Sequence, residues 1–175
     1  NLIHGELEYA QGHFEEAIVA WKRMETQNPA FLSLCAERLN QTYRQLNRVD
    51  EGLQLLRSYL ANYSSLDLLN VVVQLELEVN GQDQAYRLLR DELRRNPTLL
   101  GLDKLLEAQL VDAPPDKRND LQLIKNLVHQ HTRNLALYKC DQCGFRARVF
   151  YWHCPACNGW ETYPPRRTEE RELAA

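Results

Sequence analysis

Apolar positions fall at helical spacing through most of the chain, and three stretches repeat one another. Ala17, Trp21, Met24 and Pro29 stand at offsets of zero, four, seven and twelve. Gly52, Leu56, Tyr59 and Ser64 repeat those offsets 35 positions on, and Ala85, Leu89, Glu92 and Pro97 do so after another 33. A turn precedes each block: Gln11-Gly12-His13, Leu46-Asn47-Arg48 and Asn80-Gly81-Gln82. The helices before these turns agree in part. Gly5 fills the small position in the first, and Ala36, Leu39 and Tyr43 the apolar places of the second. Leu69, Val73 and Glu76 fill them in the third, with Glu76 a mismatch. After Pro97, Leu99 to Val111 reads as an apolar helix broken by Ala113-Pro114-Pro115. Asp116 or Asn119 would cap a last helix through about Arg133, with Leu121, Ile124, Leu127 and Val128 on the face that closes the stack.

A small residue, a large apolar residue four later and a terminating proline, recurring at 33–35 residues, is the pattern of the second helix of a tetratricopeptide repeat. The small side chain lets paired helices approach closely. The bulky one, a turn further on, is expected to pack on the next hairpin. Pro29 and Pro97 stop the second helices, while Ser64 predicts a looser turn. The fold class expected is mainly α: a tetratricopeptide-repeat solenoid of about four hairpins over 1–135. A small Cys-rich metal module over 136–165 and a charged tail over 166–175 follow it. First helices line the concave side in this repeat type. The register therefore places Glu37, Arg38, Gln41, Arg44 and Gln45, then Asp67, Asn70, Val71, Gln74 and Glu78, along one wall. Arg38, Gln41, Arg44, Asn70 and Gln74 are the candidate groove residues, suited to hydrogen bonding an extended peptide or protein segment.

Charge narrows the function. The 175 residues carry a formal −3, and no apolar run approaches the ~18 residues a membrane span needs. An acidic balance speaks against a nucleic-acid partner. The arginines at 87, 90, 94 and 95 are read as favourable charge at a helix C-terminus. His129 and His131, two apart, point apart on a helix, and Cys35 reads as a packing residue. No catalytic constellation stands out, so the chain is not expected to be an enzyme. It opens Asn-Leu-Ile-His without an initiator Met or signal pattern, which reads as a fragment with earlier repeats expected before it.

Four of the five cysteines form a second pattern, Cys140-x2-Cys143-x10-Cys154-x2-Cys157. Two residues between thiolates let both sulfurs meet one ion from a tight turn, and two such knuckles complete a tetrahedron. Clustered pairs of this kind indicate metal in a reducing cytosol rather than disulfides. Gly144 and Gly159, with Asn158, are expected to supply the positive φ of the knuckle turns, and Pro155 presets the second. Arg146 to Trp152 reads as a short strand. The cofactor expected is one ion, zinc or iron, held by Cys140, Cys143, Cys154 and Cys157. Four thiolates with a divalent ion add a net −2 and carry the chain to about −5. Three uses are open: a closed structural zinc site, an iron electron-transfer centre, or a nucleic-acid-binding ribbon. Six basic residues and five acids nearly cancel across the module and its tail, which weakens the third.

A tetratricopeptide array running into Tyr138-x-Cys-x-x-Cys-Gly-Phe145 and Tyr151-Trp-His-Cys-Pro-x-Cys-x-x-Trp160 resembles the lipopolysaccharide assembly protein B family of Gram-negative bacteria. The module itself resembles rubredoxin in its knuckles, with a much shorter span between the cysteine pairs. The resemblance implies a non-enzymatic adaptor at the cytoplasmic face of the inner membrane, tethered by an N-terminal segment. Its implied partners are the FtsH protease and the LpxC deacetylase, whose degradation it would promote to restrain lipopolysaccharide synthesis. The alternative is a rubredoxin-like iron electron-transfer protein fused to a protein-interaction solenoid.

Overall fold

The computed structural model describes residues 1–174, which form a mainly α helical-repeat fold with a small metal module. Two compact units divide the chain, Asn1–Gly81 and the residues from Gln82 on. The first holds α1 (Leu2–Ala10), α2 (Phe14–Lys22), α3 (Met24–Gln27), α4 (Leu32–Gln45), α5 (Val49–Asn62) and α6 (Leu66–Asn80).

The repeat shows most plainly in its turns. Gly12, Asn47 and Gly81, the middle residues of the three predicted turns, have φ of 81°, 56° and 84°. Left-handed residues at a helix end let the following N–H reach back to a free carbonyl. His13 N–H donates to Glu8 O at 2.9 Å, and Arg48 N–H donates to Tyr43 O at 2.9 Å. Asparagine serves at the middle turn because it is among the few non-glycine residues that tolerate this region.

Close packing explains the small positions. A Cβ on Gly5 would lie 2.3 Å from Trp21 Nε1, and one on Gly52 only 2.9 Å from Tyr43 Cβ. Trp21 is fully buried, yet its indole turns to its own hairpin rather than only to the next. Nε1 donates to Leu2 O at 3.3 Å, and the ring lies 6.2 Å from that of Tyr9. Glycine at position 5 opens the space that draws it there.

The mismatched Glu76 is wholly buried and has partners. Arg57 pairs with it at 2.5 Å, and Asn80 Nδ2 donates to it at 2.8 Å. A buried carboxylate without such compensation would be too costly to keep. Where Ser64 replaces the terminating proline, Ser65 caps α6 by accepting from Leu68 N–H.

The second unit contains α7 (Gln82–Arg95), α8 (Leu99–Val111) and α9 (Pro115–Thr132), then β1 (Tyr138–Lys139), β2 (Arg146–Ala147) and α10 (Thr168–Ala174). Thr98 caps α8 by accepting from Gly101 N–H at 3.0 Å. Neither Asp116 nor Asn119 caps α9: the helix begins with Pro115 at its first position, whose fixed φ suits a helix start. Its packing line also differs from the expected face. Leu121, Lys125, Val128 and Thr132 turn inward, whereas Ile124 and Leu127 remain 46% and 52% exposed. The aliphatic stem of Lys125 turns inward where Ile124 and Leu127 were expected to. Among the described residues, no helix is long and apolar enough to cross a membrane.

Candidate metal centre and repeat wall

Each knuckle closes on itself through two backbone bonds. Gly144 N–H donates to Cys140 O at 3.0 Å, and Asn158 N–H to Cys154 O at 2.9 Å. Cys140 N–H donates to Phe145 O, and Cys154 N–H to Gly159 O, both at 2.9 Å. The positive φ belongs to Gly144 (77°) and Asn158 (57°), the residues directly after Cys143 and Cys157. Gly159 does not share it, contrary to expectation, and is small for another reason. A Cβ there would stand 2.3 Å from Gln142 Oε1 and 2.6 Å from Thr162 Cγ2. The expected strand from Arg146 to Trp152 is shorter too, because a ten-residue link must turn back to the second knuckle. Only Arg146 and Ala147 pair, with Lys139 and Tyr138 respectively.

The two turns bring all four sulfurs within 4.8 Å of one another. Cys140 Sγ and Cys157 Sγ are 3.8 Å apart, and Cys143 Sγ and Cys154 Sγ 3.7 Å. A tetrahedron with zinc–sulfur arms of about 2.3 Å has edges of about 3.8 Å. Disulfides would need about 2.05 Å. The four cysteines are therefore positioned for one metal ion, and the thiolate donor set suits zinc or iron alike.

Electrostatics agree with the geometry. Burial pushes the Cys140 thiol up, but its hydrogen bonds with the Thr162 hydroxyl and with the backbone at Cys143 and Gln142 outweigh it and bring it down to about 6. Cys157 goes the other way. The Gly159 N–H lowers it, yet burial and the sulfurs of Cys154, Cys143 and Cys140 together raise it to about 12. Four sulfurs this close do not all shed protons until a cation sits among them.

Sequence reasoning missed the residues that enclose this cluster. Thr162 Oγ1 lies 3.2 Å from Cys140 Sγ, and Tyr163, fully buried, donates from its hydroxyl to Phe145 O at 3.1 Å. Tyr138 meets Phe150 edge-on at 6.0 Å, and Phe150 meets Trp152 at 5.0 Å. The Arg167 guanidinium lies 4.1 Å from the centre of the Tyr138 ring. The one available signal was aromatic density around the knuckles; Thr162 and Arg167 carried none.

The candidate groove residues sit on α4 and α6. Arg38 bonds to Glu6 of α1 at 3.2 Å and to Gln41 at 3.2 Å, and Gln41 donates to Glu37 at 3.1 Å. Arg44 donates to Asn40 at 3.1 Å and pairs with Glu78 of α6. Asn70 and Gln74 are exposed on α6. Charged pairs thus lace the three first helices side by side. Elsewhere, burial pushes the Cys35 thiol up to about 12, the state of a packing residue. His129 Nδ1 lies 3.0 Å from Asp103 Oδ2, and the guanidinium of Arg95 meets buried Glu92.

Residues 138–165 match the rubredoxin metal-binding domain family. Lipopolysaccharide assembly protein B of Escherichia coli K12 is 26% identical over 168 residues, 95% of this chain and 43% of that protein. The Haemophilus influenzae protein of the same name is 25% identical over 173 residues, 97% of this chain and 43% of that one. The chain thus spans less than half the length of the curated relatives it matches. The resemblance read from the Cys-Pro knuckle and the repeats holds: nearly the whole chain is similar to lipopolysaccharide assembly protein B, and its cysteine module matches the rubredoxin metal-binding domain.

Proposed function

We propose that this chain is a non-enzymatic adaptor in the control of lipopolysaccharide synthesis. Its repeats bind protein partners, and a closed four-cysteine metal site shapes the end of the repeat array. The observation that carries the reading is the sulfur tetrahedron. Four protein thiolates leave no position for water or substrate, the hallmark of a structural rather than a catalytic site. The names of the relatives support a role in lipopolysaccharide assembly. The finer reading places the chain at the cytoplasmic face of the inner membrane, where a reducing medium keeps thiolates free for metal. There it promotes degradation of the LpxC deacetylase by the FtsH protease, with Arg38, Gln41, Arg44, Asn70 and Gln74 in the partner groove.

The test is the LpxC half-life in cells whose only copy of the full-length protein carries Cys154→Ser. Lengthening of the half-life supports the reading; a metal-free variant that leaves it unchanged overturns the structural role. A pull-down comparing the chain with one ending near Arg133 then locates recognition. Retained partner binding assigns it to the repeats.

A further inference from the structure

The last charged residues of the chain make a connection that neither the repeats nor the metal site requires. Glu169 is buried, and its carboxylate accepts from the backbone N–H groups of Leu99 and, at 3.0 Å, Leu100. These are the first two donors of α8, which a helix leaves unpaired unless something outside it supplies an acceptor. The Thr98 side chain accepts from Gly101 N–H, and its carbonyl from Leu102 N–H. Glu169 reaches α8 because α10 is held in place, by Leu135, whose carbonyl accepts from Glu169 N–H at 3.3 Å, and by the metal module and the residues leading into it. Thr168 N–H and Oγ1 donate to Leu137 O at 2.9 and 2.6 Å. Arg167 donates to Ala136 O at 2.6 Å and to Arg148 O at 3.2 Å. Arg171 donates to Lys139 O at 3.3 Å and to the Asp141 carboxylate at 2.5 Å. Lys139 and Asp141 flank the ligand Cys140.

We propose that α10 is a metal-dependent clamp: a filled four-cysteine site fixes the first knuckle, the knuckle holds α10, and Glu169 of α10 caps α8 of the repeat array. The state of the metal site is thereby read out at a repeat helix. A module of about 25 residues has too small a core to hold these backbone carbonyls in place without its ion. Loss of metal releases the anchor points at Lys139 and Asp141, and with them the cap.

Amide hydrogen exchange on the full chain tests this, with zinc stoichiometry measured alongside. In the zinc-loaded protein the Leu99 and Leu100 amides are expected to be protected, and chelation with EDTA to speed their exchange about tenfold or more. The α5 amides of Leu56 and Tyr59 serve as an unmoved control. Glu169→Gln is expected to speed Leu99 and Leu100 by a similar factor while keeping one zinc per chain. Should that variant fold poorly, Arg171→Gln gives an intermediate acceleration by loosening α10 and leaving the carboxylate intact. Chelation that opens residues 138–163 but leaves Leu99 and Leu100 protected overturns the clamp. So does chelation that accelerates α5 equally, which means general unfolding.

Discussion

Gly159 and Asn158, both expected to supply the positive φ of the second knuckle, divide two duties between them. Asn158 adopts the left-handed turn, and Gly159 makes room for Gln142 and Thr162. Gly159→Ala should therefore weaken metal binding more than Asn158→Gly, which a zinc competition titration against a chromogenic chelator would show. Gly52→Ala pushes a methyl into the Tyr43 side chain and should cost about 1–3 kcal/mol in urea unfolding. Removing Arg57 leaves the buried Glu76 carboxylate with Asn80 but without its counter-charge. Arg57→Ala should then destabilise by about 2–3 kcal/mol, with the double replacement Arg57→Met and Glu76→Leu recovering most of it. Cys35 gives the pH signature. Its thiol titrates near 9.0 when exposed but at about 12 when buried, so its contribution is whole below pH 9 and fades as pH climbs toward 12. Cys35→Ala should flatten that alkaline limb in a stability profile.

At the scale of elements, the repeat was legible because each hairpin obeys the same local chemistry. One left-handed turn residue, one small residue and one large neighbour recur at fixed offsets, and Gly12, Asn47 and Gly81 occupy the places the alignment gave them. Three things escaped. Glu76 looked like a fault because its remedy, Arg57, lies on another helix. The inward line of α9 runs through half-buried Lys125, whose stem counts as polar in any periodicity. Residues 166–175 read as a charged tail because nothing in a sequence shows a carboxylate reaching an amide 69 positions away. The metal site was legible to the ligand, since two-residue spacing dictates a knuckle. Its surroundings were not, because Thr162 and Tyr163 gain their roles only once the chain has folded back. Because thiols must lose protons to bind metal, zinc affinity should rise steeply between about pH 5 and 8. Uptake at neutral pH should acidify an unbuffered solution, which a pH electrode would record.

Across the whole molecule, the charged wall on the first helices lies in the first compact unit and the thiolate cluster in the second. Metal removal should accordingly loosen the second unit first, visible as a separate low-temperature step in calorimetry of the chelated chain. The module is also lopsided. Cys140 and Cys154 are sealed in, Cys157 is half-covered, and Cys143 faces solvent. A competing ligand thus reaches Cys143 most readily, Cys157 next, and Cys140 and Cys154 least. Metal exchange should proceed by associative attack at the Cys143 corner, its rate rising with the concentration of a small chelator and falling sharply as the chelator grows bulkier. A site closed in its equilibrium chemistry thereby keeps its widest entrance, in its kinetics, at Cys143.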